Sequence, residues 1–503
     1  MRCHMSVLAL VVVCLGLGGR FLQAQEAQAE IVPRFEESSC NYSTPAGVDV
    51  TCGYIVVPED HSNPEGETIR LALAILHSTS DTPAPDPIIS LTGGPGGSTL
   101  EYLPFTFRQN YRAFLETRDF IMFDQRGVGL SEPSLNCPDL LERNYQDAAR
   151  LRSAQEAAQD DTAAILDCQQ TLIDSGEDLT VYTTAQNAAD VADIRLALGY
   201  EEWNLFGVSY GTKLALTTIR DFPEGIRSVM LDSVYPLQAN LYTERAANQQ
   251  RAFDLLFDSC AADSACAEAY PHLEKAFYDL INRLNDSPVP IETTHTDYGF
   301  RFNTYVTGEM IASTVFGDLY VKNIIPTIPA FIDRLVHGDE SELSFLAQNF
   351  YDRSIGLTEG MYYSIQCGEE LRFADEQAAV DSAESLNPAL RDAFSATTSS
   401  LFDLCASWRG YPADRRENES VQSTITTLVL SGEFDPITPP SWGQLAADDL
   451  ENSFFYTFPS VGHGAIRTDS CAQSIALQFI ENPTLEPNAD CISEIEPPPF
   501  ELP

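Results

Sequence analysis

One pentapeptide, Gly207-Val208-Ser209-Tyr210-Gly211, restricts the possible folds of this chain more than any other segment. The apolar run Trp203-Asn204-Leu205-Phe206 leads into it. The run Thr212-Lys213-Leu214-Ala215-Leu216-Thr217-Thr218-Ile219-Arg220, helical in character, leads out. A G-x-S-x-G pattern set between a strand and a helix predicts a turn too sharp for large neighbours, which holds a serine hydroxyl clear of the backbone. Ser209 is therefore the candidate nucleophile of an acyl-transfer reaction.

The surrounding pattern agrees with a strand that ends in such a turn. Runs at 48–51, 54–57 and 69–76 read as antiparallel strands, separated by turn residues such as Asn63-Pro64-Glu65-Gly66. Apolar strands follow at 87–91, 120–123, 203–206 and 228–231, with helical segments between them, as at 188–198. This alternation predicts an α/β fold with a mostly parallel sheet flanked by helices. From 239 to 416 the rhythm changes to helix and loop, with helical clusters at 246–256 and 271–284. Strands return at 427–430 and 454–458. The economical division is a core in two parts, 30–238 and 417–503, with a large, mainly helical insertion at 239–416. The tail from Glu494, with Pro497-Pro498-Pro499, reads as extended and peripheral.

The first 29 residues read as a signal peptide. Arg2 supplies the positive region, residues 6–18 are apolar but too short to span a bilayer, and Ala27-Gln28-Ala29 fits the cleavage site. The mature chain is expected in a periplasmic or extracellular space, without membrane insertion. Besides Cys3 and Cys14 the chain has ten cysteines, an even number that suits disulfides in an exported protein. Pairing of sequence neighbours is expected: Cys40–Cys52, Cys137–Cys168, Cys260–Cys266, Cys367–Cys405 and Cys471–Cys491. No C-x-x-C occurs and the seven histidines are scattered, so neither a metal nor another cofactor is expected. A formal net charge of −45 with three lysines disfavours nucleic acid and anionic lipid as partners. Nothing in the sequence speaks to the oligomeric state.

A serine hydroxyl is a poor nucleophile without an oriented base. The candidate base is His463, in the short glycine loop Val461-Gly462-His463-Gly464 late in the chain. An imidazole needs a carboxylate to hold its tautomer. Asp435, in Ser431-Gly432-Glu433-Phe434-Asp435-Pro436-Ile437-Thr438-Pro439, is the candidate, with Glu433 its nearest rival. Each of Ser209, Asp435 and His463 follows a predicted strand, in the chain order Ser, Asp, His. A tetrahedral intermediate also needs N–H donors. One is expected from Tyr210, directly after the nucleophile. The other is expected from Gly94, in Thr92-Gly93-Gly94-Pro95-Gly96-Gly97-Ser98; no Gly-Lys-Ser/Thr follows that would make this a phosphate loop. In a second tight loop, Asp124-Gln125-Arg126-Gly127-Val128-Gly129-Leu130-Ser131, Asp124 and Arg126 are expected to form a buried structural pair.

Taken with Cys52-Gly53-Tyr54-Ile55-Val56-Val57-Pro58, these motifs resemble in kind and order the secreted α/β-hydrolases of the prolyl and tripeptidyl aminopeptidase group, including the branch with a distinctive C-terminal segment. The resemblance implies an α/β-hydrolase fold whose helical cap is the insertion. It implies peptide substrates and a serine exopeptidase that works near a free N-terminus through an acyl-enzyme. It also implies acidic cap residues that hold the substrate amine; Tyr363-Ser364-Ile365-Gln366-Cys367-Gly368-Glu369-Glu370 matches that segment, with Glu369 and Glu370 as the anchor. Thr92 stands where prolyl aminopeptidases commonly have histidine, which weakens strict proline specificity. Two alternatives stay open: a carboxylesterase acting on small esters, and a non-catalytic binding protein on a hydrolase fold.

Overall fold

The computed structural model describes residues 32–107, 109–296, 299–353 and 357–503. The expected signal peptide, with Cys3 and Cys14, lies outside the described residues. In chain order the strands are β1 (Arg34–Ser38), β2 (Val50–Pro58), β3 (Thr68–Leu76), β4 (Ile88–Leu91), β5 (Phe120–Phe123), β6 (Trp203–Ser209), β7 (Ile226–Val234), β8 (Val289–Thr294), β9 (Arg301–Val306), β10 (Thr427–Gly432) and β11 (Ser453–Phe458). Nine of them form one sheet in the order β1-β2-β3-β5-β4-β6-β7-β10-β11. The pairings from β1 to β5 are antiparallel, and those from β5 to β11 are parallel.

Side-chain alternation explains why both faces are covered. Ile89, Leu91, Ile121, Phe123, Leu205, Val229, Leu231 and Val429 join one core with the helices Thr184–Leu198 and Tyr210–Asp221. Ile88, Phe120, Met122, Phe206, Met230, Leu428 and Leu430 join the other with the helix Ser470–Glu481. Strands buried on both faces read as continuous apolar runs, which is why they stand out in the sequence. The chain leaves β4 for β5 on one side and crosses to β6 on the other. The loops after β4 and β6 thus part beside each other and open a crevice at the carboxyl ends of the strands.

The insertion between β7 and β10 is mainly helical, from Leu241–Ala262 to Pro388–Ser407, and builds a core of its own around Phe253, Phe257, Phe277, Ile311 and Leu346. Three features depart from expectation. The strands β8 and β9 form a two-stranded hairpin within it. The helix Ala154–Asp174, which the sequence division placed in the first core part, contributes Ile165 and Leu172 to a cluster with Met361, Ile365, Leu404 and Trp408 of the insertion. A division by contiguous segments cannot see that a loop between two core strands packs on a distant insertion. The tail is extended but not loose: Phe500 is buried in the insertion core, and Glu501 N–H donates to Pro326 O at 2.9 Å. The five disulfides pair the expected neighbours. Among the described residues no helix is long and apolar enough to cross a membrane.

Candidate active site

β6 ends at Ser209, whose backbone turns at φ 59°, ψ −128° straight into the helix Tyr210–Asp221. Positive φ at a non-glycine residue is strained and persists only where the surroundings impose it. They do so here by close packing. A Cβ at Gly211 would stand 1.8 Å from the Leu91 carbonyl oxygen, and one at Gly93 would stand 2.7 Å from Ser209 Cβ. Glycine at these positions lets the helix press on the end of β4 and lets the loop after β4 lie against the serine.

That loop, which carries Gly94, is braced from behind. Asp124 accepts the N–H groups of Thr99 (2.6 Å), Leu100 (3.1 Å) and Leu130 (2.9 Å), and Gln125 donates to Thr92 O at 2.8 Å. Burial pushes the Asp124 carboxyl up to about 6, against the pull of these donors. The expected Asp124–Arg126 pair is not formed. Arg126 instead holds both oxygens of Asp190 at 2.7 Å, because the oxygens of Asp124 are already taken by backbone N–H groups.

β7 brings the histidine loop to the serine. Ser209 is in register with Val234. One residue earlier, Ser233 Oγ accepts the N–H of Gly464 at 2.7 Å, and Asp232 accepts those of Ala465 and Ile466 at 2.7 and 2.9 Å. The loop of His463 thus hangs from the strand that pairs with Ser209. Burial raises the Asp232 carboxyl to about 6.

His463 and Asp435 are both buried, and Nδ1 lies 2.8 Å from Asp435 Oδ2. An ionised carboxylate only accepts, so this contact places the ring proton on Nδ1 and leaves the Nε2 lone pair free to act as a base. Asp435 Oδ1 takes the N–H groups of Ile437 (3.0 Å) and Thr438 (2.9 Å), and Oδ2 takes the Thr438 hydroxyl (2.8 Å). Burial alone would raise this carboxyl; His463 and the donors outweigh it and hold it below the ordinary aspartate range. Glu433 turns instead to the N–H of Ser460 at 3.2 Å.

Sequence reasoning missed several supporting groups. Thr438 sits three residues after Asp435, a spacing typical of a side-chain turn that could have suggested its contact. Arg251, on the helix Leu241–Ala262, donates to the carbonyls of Glu433 (2.8 Å) and Asp435, a link between distant segments with no local signal. Tyr320 packs its ring 4.8 Å from that of His463 and accepts the His463 N–H on its carbonyl at 2.9 Å.

Glu369 and Glu370 lie in the segment Gln366–Glu370, which the Cys367–Cys405 disulfide fixes to the helix Pro388–Ser407. Neither carboxylate is free to meet a substrate ammonium. Glu369 accepts the N–H and hydroxyl of Thr184, each at 2.6 Å, and Glu370 pairs with Lys213 Nζ and the Tyr235 hydroxyl. Burial pushes Glu369 up to about 7, with Lys213 and Thr184 opposing it. Other carboxylates line a cleft near the Gly94 loop, where Glu359 accepts the N–H of Cys137 at 3.1 Å. Leu357, which bridges to Gly97, lines a cleft of about 380 Å³ with Asp161, Glu359 and Tyr362.

Residues 86–279 match the alpha/beta hydrolase fold family, and residues 391–491 match the TAP-like protein family. The chain has an α/β-hydrolase fold and is a serine hydrolase, similar over its C-terminal region to TAP-like proteins. It is 25% identical over 520 residues to serine protease Hip1 of Mycobacterium tuberculosis, covering 96% of this chain and 95% of that one. It is 32% identical over 245 residues to a tripeptidyl aminopeptidase of Streptomyces lividans, covering 47% of this chain and 44% of that one. A solved structure of proline iminopeptidase from Mycobacterium smegmatis is 15% identical and covers 86% of this chain and 98% of that one, with a TM-score of 0.42.

Proposed function

We propose that this chain is an exported serine exopeptidase that cleaves peptide bonds near a free N-terminus. The observation that carries the chemistry is the buried Asp435–His463 hydrogen bond, on a loop tied to the strand beside Ser209. In this reading His463 Nε2 takes the Ser209 proton as Oγ attacks the scissile carbonyl, then returns a proton to the leaving amine. Asp435 stabilises the imidazolium between these steps. The N–H groups of Tyr210 and Gly94 receive the oxyanion, and water hydrolyses the acyl-enzyme by the same path.

Likeness to Hip1 along nearly the whole chain supports peptide bonds as substrate, and the tripeptidyl aminopeptidase match supports an N-terminal exopeptidase. The insertion at 239–416, with the helix Ala154–Asp174, acts as the cap. Asp161, in the cleft beside Leu357, would attract the substrate ammonium where the sequence pointed to Glu369 and Glu370. Five disulfides support an oxidising, extracytoplasmic location.

Matched peptides with free and acetylated N-termini test the reading. The exopeptidase loses cleavage on acetylation. Equal cleavage of both forms makes it an endopeptidase, and turnover of small esters alone makes it an esterase.

A further inference from the structure

Arg245, on the helix Leu241–Ala262, is a cation without an anion. The chain carries 74 acidic and 29 basic side chains, so carboxylates are plentiful. Arg118, Arg126, Lys213, Arg220 and Lys322 each pair with one, whereas Arg251, also without one among the described residues, is held by backbone carbonyls. Among the described residues no carboxylate pairs with Arg245, and its Nε is buried without a hydrogen-bond partner. Tyr242 lies one turn before it on the same helix, and its charge opposes the burial that raises the phenols of Tyr242, Tyr320 and Tyr362.

Tyr320 lies against the His463 ring. The Tyr362 N–H sits 3.4 Å from where a Cβ of Gly96 would be, at the glycine loop. These two tyrosines thus border the candidate base and the candidate oxyanion loop. Arg245 lines a cavity of about 270 Å³ with Gln249, Asn285, Phe316 and Glu309. Phe316 packs on Tyr320, which connects the cavity wall to the histidine. Glu309 lines the same cavity but makes no ion pair with the guanidinium; its carboxyl is raised by burial and by Asp161.

A guanidinium held this way offers a planar, two-pronged site for a carboxylate that the protein does not itself provide. We propose that Arg245 binds a carboxylate of the substrate close to the scissile bond, so that the enzyme favours anionic peptides. The carboxylate is either the free C-terminus of a short peptide or an Asp or Glu side chain. The proposal rests on the site assigned under Proposed function and names the substrate chemistry that site selects.

The test uses the full mature chain and one free-N-terminus peptide in four forms: C-terminal acid or amide, each with Asp or Asn beside the cleaved bond. A charge-assisted contact of this kind is worth about 10- to 100-fold in kcat/KM. Wild type should favour the carboxylate forms by that factor. Arg245→Met should abolish the preference, and Arg245→Lys should restore part of it. Preference for acid over amide assigns the C-terminus; preference for Asp over Asn assigns the side chain. No preference in wild type overturns the proposal, as does an equal loss on all four forms in Arg245→Met with unchanged thermal melting. Should no peptide be cleaved, the peptidase reading falls. Hemisuccinate against butyrate esters then decides Arg245 alone, with the same preference expected and its absence overturning the proposal.

Discussion

The elbow and the cavity lined by Arg245 treat polar groups in opposite ways. Around Ser209 the supporting carboxylates are satisfied from within the protein: Asp435 by His463, Thr438 and Ile437, Asp232 by Ala465 and Ile466, and Asp124 by Thr99, Leu100 and Leu130. In the cavity Arg245 has, among the described residues, no counter-ion and a buried Nε without a hydrogen-bond partner. A site that must stabilise the same charge in every turnover gains from dipoles fixed in advance. A site that must choose among substrates gains from a group whose partner arrives with the substrate. The contrast supports the proposal that the sheet carries the chemistry and the insertion the selection.

The sharpest way to break that assignment is Ser209→Ala. If the elbow carries the chemistry, kcat should fall by roughly 10⁶, and covalent labelling by an active-site serine probe should vanish while thermal melting stays put. A residual rate within about tenfold of wild type would move the nucleophile elsewhere. The same variant should still bind peptide, since the cap is untouched; loss of binding together with activity would blur the two regions.

The same contrast governs how much of the molecule was legible beforehand. Ser209, Asp435 and His463 are marked by steric demands local in sequence: Gly211 and Gly93 leave no room for a Cβ, and the apolar strands before each loop are buried on both faces. What escaped depends on distance along the chain. Arg251 reaches the acid loop over 184 residues, and Ala154–Asp174 packs on an insertion that begins far beyond it. Glu369 and Glu370 show the cost of reading charge without packing. As an exposed pair they would suit an ammonium, but Thr184, Lys213 and Tyr235 take up both. No pattern local to residues 363–370 could report that Lys213, on the elbow helix, turns to meet them.

Lys213→Met sharpens the boundary between the regions, because its ion pair with Glu370 fastens the insertion to the elbow helix. Both side chains are buried, so removing the ammonium strands a carboxylate. Unfolding free energy should fall by about 3–5 kcal/mol, read from urea unfolding. Unchanged stability with a raised KM confined to free-N-terminus peptides would return Glu370 to the role of amine anchor.

The smallest effect lies in the pH dependence of stability. Glu369 has a folded value near 7, raised by burial from 4.5; Asp124 and Asp232 stand near 6, also raised by burial. A carboxyl with a raised folded value binds its proton more tightly when folded. Its contribution to stability is complete below the unfolded value and is lost as pH rises through the folded one. Asp435 has the opposite sign, and its contribution is lost only as pH falls through its depressed value. Between about pH 4.5 and 7 these three carboxyls make stability decline, by at most about 1.4 kcal/mol per pH unit for each. Above pH 6 Glu369 carries the larger share of the remaining slope, since Asp124 and Asp232 are already half ionised near pH 6. Glu369→Gln, which keeps the shape and removes the titration, should therefore more than halve the slope from pH 6 to 7 and reduce it by roughly a third between about pH 5 and 6. Urea unfolding of both proteins across that range measures it. Parallel slopes above pH 6 would mean that Glu369 is already ionised there, with Lys213 serving both glutamates and the cap held to the elbow by charge alone.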